Sequence, residues 1–247
     1  MKTLFNPDFS VKSYEDPFKL WVVDNILQKD LSQDVLNVWP NLSDPRWNRG
    51  YLEIGGKKNK LEDKMMAMSG KRNMPTFFKK LIKTLNSDES IEVFEKITGI
   101  KNLKVDDNWR WAGLRETLPG GYQLVHSDAR KHLENGLRKE LTLLFYFRED
   151  YDRKRDEGCL EMWNDDMTQM IHEIEPIHNR MVIFLNTDQS YHGVPVTKTN
   201  RKMITFSLLK EGETTERFKA LFMARPDDDP AVEKLGLDRL EETDKFY

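Results

Sequence analysis

Three side chains in this 247-residue chain have the types and spacing to hold a metal ion. His126 and Asp128 stand two residues apart, just after the Gly120-Gly121 pair, and His192 follows 66 positions later in Ser190-Tyr191-His192-Gly193-Val194-Pro195. Two imidazoles and one carboxylate on one face of a site are the ligand set that grips Fe(II) and leaves the opposite positions open. Alternate residues of a strand point the same way, so His126 and Asp128 can reach one ion from a single strand end. The third ligand must come from elsewhere in the fold, and His192 follows the strand-like run 180–185 and a polar turn. A His-x-Asp alone arises by chance, commonly as a structural histidine beside a turn aspartate. Arg201 strengthens it, nine residues after His192 at the head of the apolar run 202–209. A guanidinium at the mouth of a barrel strand can take a carboxylate in a two-pronged grip, as a dicarboxylate cosubstrate requires. Lys202 is the neighbouring alternative. Strand alternation lets only one of the two face inward, and the spacing favours Arg201.

The elements that must position these residues fall into two halves. In the first, 19–24 reads as a short strand, and 32–39 as a helix with Ser32 or Asp30 as cap and Pro40 as stop. Residues 41–74 read as loop with little regular structure, with Met65, Met66 and Met68 as core filler. Helical spacing of apolar residues covers 75–85 and 87–97, the second capped by Ser87 or Asp88 and stopped at Gly99. From residue 108 the pattern turns to short strands, at 109–114, 122–125, 141–147, 159–163, 171–174, 181–185 and 203–209. That spacing predicts a sandwich or barrel of about eight strands, the number of a jelly roll. The expected fold class is mostly β with supporting helices, the helices of the N-terminal half packed outside the sheet.

Composition bounds the rest. Apolar residues are 38% and charged residues 33% of the chain, which suits a globular domain with a wet surface. No apolar run is long enough to cross a membrane, and the N-terminus carries no secretory pattern. One cysteine, Cys159, fits a reducing, cytoplasmic setting. A net charge of −3 offers no electrostatic footprint for nucleic acid. Residues 211–247 hold 11 acids against 6 bases and read as a charged extension, a solvated tail or a packing arm, with 225–230 as linker and 231–240 as a short helix.

Taken together, 122–209 resembles the catalytic core of the 2-oxoglutarate/Fe(II)-dependent oxygenases, especially the prolyl 4-hydroxylase-like branch. The resemblance lies in His126-Ser127-Asp128, in the run from Glu157 to Trp163, in the run from Ile174 to Phe184, and in His192-Gly193-Val194-Pro195-Val196 followed by Arg201. It implies a double-stranded β-helix (a jelly-roll, cupin-like core) within a single domain over 1–210, with helical support in 1–107 and the catalytic core in 108–210. It implies iron on His126, Asp128 and His192, and the distal carboxylate of 2-oxoglutarate on Arg201. Tyr146 matches a tyrosine that hydrogen-bonds that carboxylate in related enzymes, and Thr205 would point into the same end of the barrel. Fe(II) and 2-oxoglutarate are the implied cofactor and cosubstrate, and ascorbate is admitted beside them. The chain departs from the family pattern in having one glycine, Gly158, where two are common, and no clear tyrosine in 115–118.

The activity so implied is hydroxylation of an unactivated C–H bond, with 2-oxoglutarate decarboxylated to succinate. A peptidyl proline or related protein side chain is the expected substrate. A free amino acid or biosynthetic intermediate is the alternative, and a metal-binding cupin-like sensor without turnover is the non-enzymatic one. Asp128 favours hydroxylation over halogenation, since related halogenases lack that carboxylate. Other candidates have bland readings: His132 as a loop residue near the mouth, Trp109 and Trp111 as sheet packing, 148–157 as a solvated hairpin loop. His172 and His178, with Glu173 and Glu175, suggest a rival metal site, but Pro176 breaks its spacing.

Overall fold

The computed structural model describes residues 4–49, 53–54, 57–58 and 62–229. Its elements run β1 (Ser10–Tyr14), β2 (Leu20–Asp24), α1 (Lys29–Asn37), β3 (Asn48–Arg49), β4 (Glu53–Ile54), β5 (Lys57–Lys58) and β6 (Glu62–Ser69). Then follow α2 (Gly70–Asn73), α3 (Thr76–Leu85), α4 (Asp88–Thr98), β7 (Gly113–Ser127), β8 (Arg138–Tyr146) and α5 (Arg153–Asp156). The chain continues through β9 (Leu160–Trp163), β10 (Met170–Ile174), β11 (Arg180–Leu185), β12 (His192–Val194), β13 (Arg201–Lys210) and β14 (Leu221–Phe222). Among the described residues, twelve strands form one curled antiparallel sheet, ordered β1-β2-β11-β8-β13-β7-β12-β9-β10, with β6 and β14 also pairing β7 and β3 pairing β6. The fold is mostly β, a half-barrel of jelly-roll type, as expected.

Period-2 alternation explains the layering. On β8, Leu141, Leu143 and Phe145 join a core with Phe78, Ile82 and Phe94 of α3 and α4. The intervening Leu144 and Tyr146 face the barrel interior, with Met162, Phe184 and Met203. The helices therefore back the sheet, and the opposite face is left to form a cavity. Helix α4 has the expected ends: the Ser87 side chain accepts from Ser90 N, and Gly99 closes it at φ 73°. Helix α1 starts earlier than its expected cap, at Lys29, and the Ser32 hydroxyl donates to Lys29 O inside it.

Strand β7 is the long element of the fold, and it serves both halves of the sheet. Its first part pairs β13 and β6, and its last part pairs β12 and β14. The bend between them falls at Pro119-Gly120-Gly121, where Gly120 has φ 79°. A Cβ on Gly121 would lie 2.7 Å from Thr117 Cγ2 and 2.8 Å from the carbonyl oxygens of Asp63 and Leu118. The bend is tied down by Gly120 N donating to Thr197 O and Thr197 N donating to Gly121 O.

Several local expectations are corrected. Within 41–74, 62–69 is strand β6, paired along β7, because Met66 and Met68 bury on one side while the ladder takes up the backbone groups. Residues 109–112 are turn rather than strand, with Trp109 at φ 55°. The first half is not helical support alone, since β1 and β2 extend the main sheet beyond β11. Within 148–157, α5 buries Asp156, which accepts from Asp152 N and Arg155. The short helix expected at 231–240 lies outside the described residues.

Gly121→Ala should cost about 2 kcal/mol, because its Cβ would strike two backbone oxygens. Gly99→Ala meets nothing within 4 Å and is strained only by its positive φ, so it should cost about 1 kcal/mol. Urea unfolding of the two variants checks the order; Gly121→Ala proving the milder would contradict this account of the bend.

Candidate active site

In the β7–β12 ladder, His126 lies directly opposite His192. Directly opposed residues of an antiparallel pair bring their side chains together on one face, and the two ring centroids are 4.3 Å apart. Asp128, one residue past the end of β7, turns its Oδ1 to within 3.7 Å of His126 Nε2. One ligand atom from each of His126, Asp128 and His192 can be chosen so that all lie within 4.8 Å of one another, a spacing that could hold one metal ion. Among the described residues, this is the one such cluster of histidine, cysteine and carboxylate groups. His172 instead bonds Asp16 O, and His178 bonds the Ser32 hydroxyl, so the rival site does not assemble.

Each ligand is oriented by a second bond. His126 Nδ1 lies 2.9 Å from Leu124 O, and His192 Nδ1 lies 2.9 Å from Ser190 O. A carbonyl can only accept, so both rings carry their proton on Nδ1 and offer the Nε2 lone pair. Burial pushes the His192 imidazole below its usual pKa, against the pull of Asp128, which keeps the ring neutral and able to ligate. Burial would raise the Asp128 carboxyl, but Lys139, His192 and His126 together hold it well below the usual carboxylate range. Its Oδ2 accepts from Lys139 Nζ at 2.6 Å and from the Thr142 hydroxyl at 2.9 Å, leaving Oδ1 towards the imidazoles.

Arg201 of β13 lines the same cavity, and Tyr146 of β8 lies buried against its guanidinium. Arg201 is 3% exposed, and its Nη2 donates to Tyr146 Oη at 2.9 Å. Its Nε is buried without a partner, and no carboxylate pairs with this guanidinium among the described residues. Burial raises the Tyr146 phenol above its usual pKa, against the nearby Arg201 cation, so the hydroxyl stays protonated. That hydroxyl accepts from Arg201 and keeps its own proton to donate. Thr205, two alternations along β13, lines the same cavity, of about 510 Å³. Lys202 points away, its Nζ over the Trp39 ring. A buried arginine and a threonine on one space, with a protonated tyrosine hydroxyl bonded to the arginine, are chemically suited to receive a carboxylate. A second hollow, of about 670 Å³ beside Lys79, Lys83 and Trp109, lies apart from the triad.

Some residues at the site have no plain sequence signal. Phe222 of β14, in the charged extension, is buried and stacks on His126 at 5.1 Å. Beyond it Arg225 grips Glu161 of β9 through Nε and Nη2, at 2.9 and 2.6 Å, so 225–229 is docked rather than a free linker. Lys139 faces Asp128 where the β8–β13 register slips at Leu208/Leu209, which no alternation argument anticipates. Thr142 was findable, since it shares the inward face of β8 with Tyr146. Trp111 lines the cavity instead of packing in the sheet. His132 lies in a loop, as expected, and is wholly buried there, bonded to Asp106 at 3.2 Å.

This arrangement agrees with what the chain is similar to. Residues 112–208 match the model of the 2OG-Fe(II) oxygenase superfamily. No curated protein matches the sequence. Among solved structures, a Trichoplax adhaerens prolyl hydroxylase, in complex with a hypoxia inducible factor oxygen degradation domain peptide fragment, superimposes with TM-score 0.57 at 16% identity, covering 77% of this chain and 83% of its own. A Pseudomonas putida prolyl-4-hydroxylase gives TM-score 0.56 at 15% identity, over 78% of this chain and 93% of that one. A Phytophthora capsici prolyl 4-hydroxylase gives 0.52 at 15%, over 90% and 68%. The chain carries a 2OG-Fe(II) oxygenase domain with a prolyl 4-hydroxylase-like fold. It is the domain of a 2-oxoglutarate-dependent dioxygenase, which works with Fe(II) and 2-oxoglutarate.

Removing Asp128 should strand the buried Lys139 ammonium. Asp128→Ala is expected to destabilise the metal-free protein by about 3 kcal/mol, and Asp128→Ala with Lys139→Met to recover most of it. Additive losses in urea unfolding would show that the pair is not coupled.

Proposed function

We propose that His126, Asp128 and His192 hold Fe(II), and that Arg201, Tyr146 and Thr205 receive the distal carboxylate of 2-oxoglutarate. The reaction is hydroxylation of an unactivated C–H bond. Bound Fe(II) and 2-oxoglutarate supply the activation of dioxygen, one atom leaving in succinate, formed with carbon dioxide, and the other entering the substrate. The protein's part is to hold and orient. Leu124 O and Ser190 O hold both rings by Nδ1, so that the two Nε2 atoms would be the ones to take the ion. Lys139 and Thr142 keep Asp128 ionised and hold its Oδ2, so that Oδ1 would be the ligating atom.

The observation that carries this reading is Arg201, a buried guanidinium whose neighbours are a phenol and a thioether rather than an acid. Burying a cation costs free energy unless an anion joins it. A dicarboxylate cosubstrate provides that anion, whereas a sensor without turnover has no use for it. A peptidyl proline is the first substrate we propose, on the likeness to structures that include a prolyl hydroxylase with its peptide. A small-molecule hydroxylase is the second reading. Met65 and Ala67 of β6, with Phe218 and Ala220 of the extension, wall the cavity from outside the matched 112–208 and narrow it. We place the enzyme in the cytoplasm, on its single, buried Cys159. Among the described residues no helix is long and apolar enough to cross a membrane.

Fe(II) and 2-oxoglutarate added without oxygen should give the visible charge-transfer band of the chelate; folded protein without that band would refute the assignment. His126→Ala and His192→Ala should each abolish succinate formation. Arg201→Ala should weaken 2-oxoglutarate binding by about tenfold or more, with the band restored at saturation; wild-type affinity would remove Arg201 from the cosubstrate site. Succinate release stimulated by a proline-rich peptide but not by free amino acids selects the first substrate reading, and the reverse selects the second.

A further inference from the structure

We infer that the cavity has a second anion-binding position, formed by Arg110 and Arg115, and that it receives an acidic group of the substrate. This rests on the oxygenase reading above, and it names a class of substrate for that site. Both arginines line the cavity that holds the triad and Arg201.

Arg115 faces inward by register. It stands opposite Met203 of β13 and Ala67 of β6, and both of those also line the cavity. Arg201 pairs with Thr117, so the two guanidinium-bearing positions are diagonal neighbours on adjacent strands. Arg115 uses Nη1 alone, donating to the Ser69 hydroxyl at 2.7 Å and to Leu114 O at 3.0 Å. Its Nε and Nη2 make no hydrogen bond among the described residues. Burial pushes its pKa down and Glu62 pulls it back up, so one acid stands near this cation. Glu62 makes no close ion pair with Arg115, and its carboxylate accepts from the Gln123 amide at 2.8 Å.

Arg110 is held in place while its guanidinium makes no hydrogen bond or ion pair among the described residues. Its backbone N–H donates to Asp106 Oδ2 at 2.7 Å, and Asn108 N donates to Asp106 Oδ1 at 3.0 Å. Asp106 is buried and is gripped from the other side by His132, whose ring meets the edge of Trp111 at 5.2 Å. Two buried polar residues, remote from any chemistry, thus fix the turn that presents Arg110 and Trp111 to the cavity. The other acid on the cavity wall, Asp128, is taken by Lys139 and Thr142. Two guanidinium groups with free donors and no committed counter-ion are what a carboxylate, sulfate or phosphate group requires. The cosubstrate has its own receptor at Arg201, so this second one is left for the substrate. An acid beside the target residue of a peptide and the carboxylate of a free small acid share that chemistry.

The test is a calorimetric titration of sodium sulfate into the full-length protein held without oxygen with Fe(II) and 2-oxoglutarate. Sulfate should bind, and Arg115→Gln and Arg110→Gln should each weaken it by about tenfold, a larger factor than either imposes on 2-oxoglutarate. Arg201→Ala should show the opposite ranking. Arg110→Gln covers the event that Arg115→Gln misfolds, since the Arg110 side chain makes no hydrogen bond or ion pair among the described residues. Equal sulfate affinity in wild type and both variants would overturn the proposal, and so would a greater loss of 2-oxoglutarate than of sulfate. Two probe pairs identify the source: N-acetylaspartyl-prolinamide against its asparaginyl analogue, and N-acetylglutamate against N-acetylglutamine. Displacement of sulfate by the acidic member of either pair supports the substrate assignment, and displacement by neither overturns it. Protein that takes up no Fe(II)–2-oxoglutarate fails the oxygenase reading instead, and the sulfate comparison is then made on the metal-free protein.

Discussion

The register that sets His126 opposite His192 is the constraint on which the rest of the site depends. Two neutral imidazoles have no reason to approach each other on their own. Here the backbone ladder between β7 and β12 brings them within one ion's reach, and a carbonyl behind each ring turns both Nε2 atoms the same way. A slip of one residue would send every side chain of β12 to the opposite face. The register is guarded on several sides: by the bend at Gly120-Gly121, by its two bonds to Thr197, and by β14 laid against Ser127 and His126. The sheet is therefore part of the site, and stability and ligand geometry draw on the same hydrogen bonds.

Around that pair the charges are arranged in complementary order. Asp128 is ionised because the Lys139 ammonium, with the Thr142 hydroxyl, outweighs the cost of burying it. Arg201, by contrast, is a buried cation left with neutral neighbours. One charge is balanced within the protein, and the other waits for a ligand. The same contrast extends outward along the cavity, where Glu62 is bonded to Gln123 while Arg110 and Arg115 keep free donors. An acid-rich chain with a net charge of −3 thus encloses a cavity whose walls are cationic, and net charge says little about what such a site binds.

The C-terminal extension shows how far a compositional reading reaches. Its excess of acids is compatible with a solvated tail or a packing arm, and charge alone predicts solvation on average. Yet Phe222 is buried against His126, and the Arg225 guanidinium closes on Glu161. One aromatic and one arginine decide its position, and their partners lie about 60 to 100 residues away in the chain, beyond any local pattern. Residues 41–74 erred the same way: a polar, methionine-bearing stretch contains strand β6 because β7 offers it a ladder, a tertiary effect that overrides weak local propensity.

The sequence alone determined the kind of site, since ligand chemistry is a property of residue types: two imidazoles, a carboxylate, and a guanidinium nine residues past the second histidine. Tyr146 entered only through the resemblance to the oxygenases, whereas period-two alternation, which is local, set Arg201 rather than Lys202 inward on its strand. Helices 76–85 and 88–98 were legible for the same reason, through their apolar stripe and the Ser87 and Gly99 ends. The tertiary structure alone decided which distant groups meet. It set Lys139 on Asp128 through a register slip, Asp106 on His132 beneath the Trp111 turn, and Arg115 across from Met203. These contacts depend on how a bent fifteen-residue strand shares two halves of a sheet, a long-range geometry that no spacing within the chain encodes.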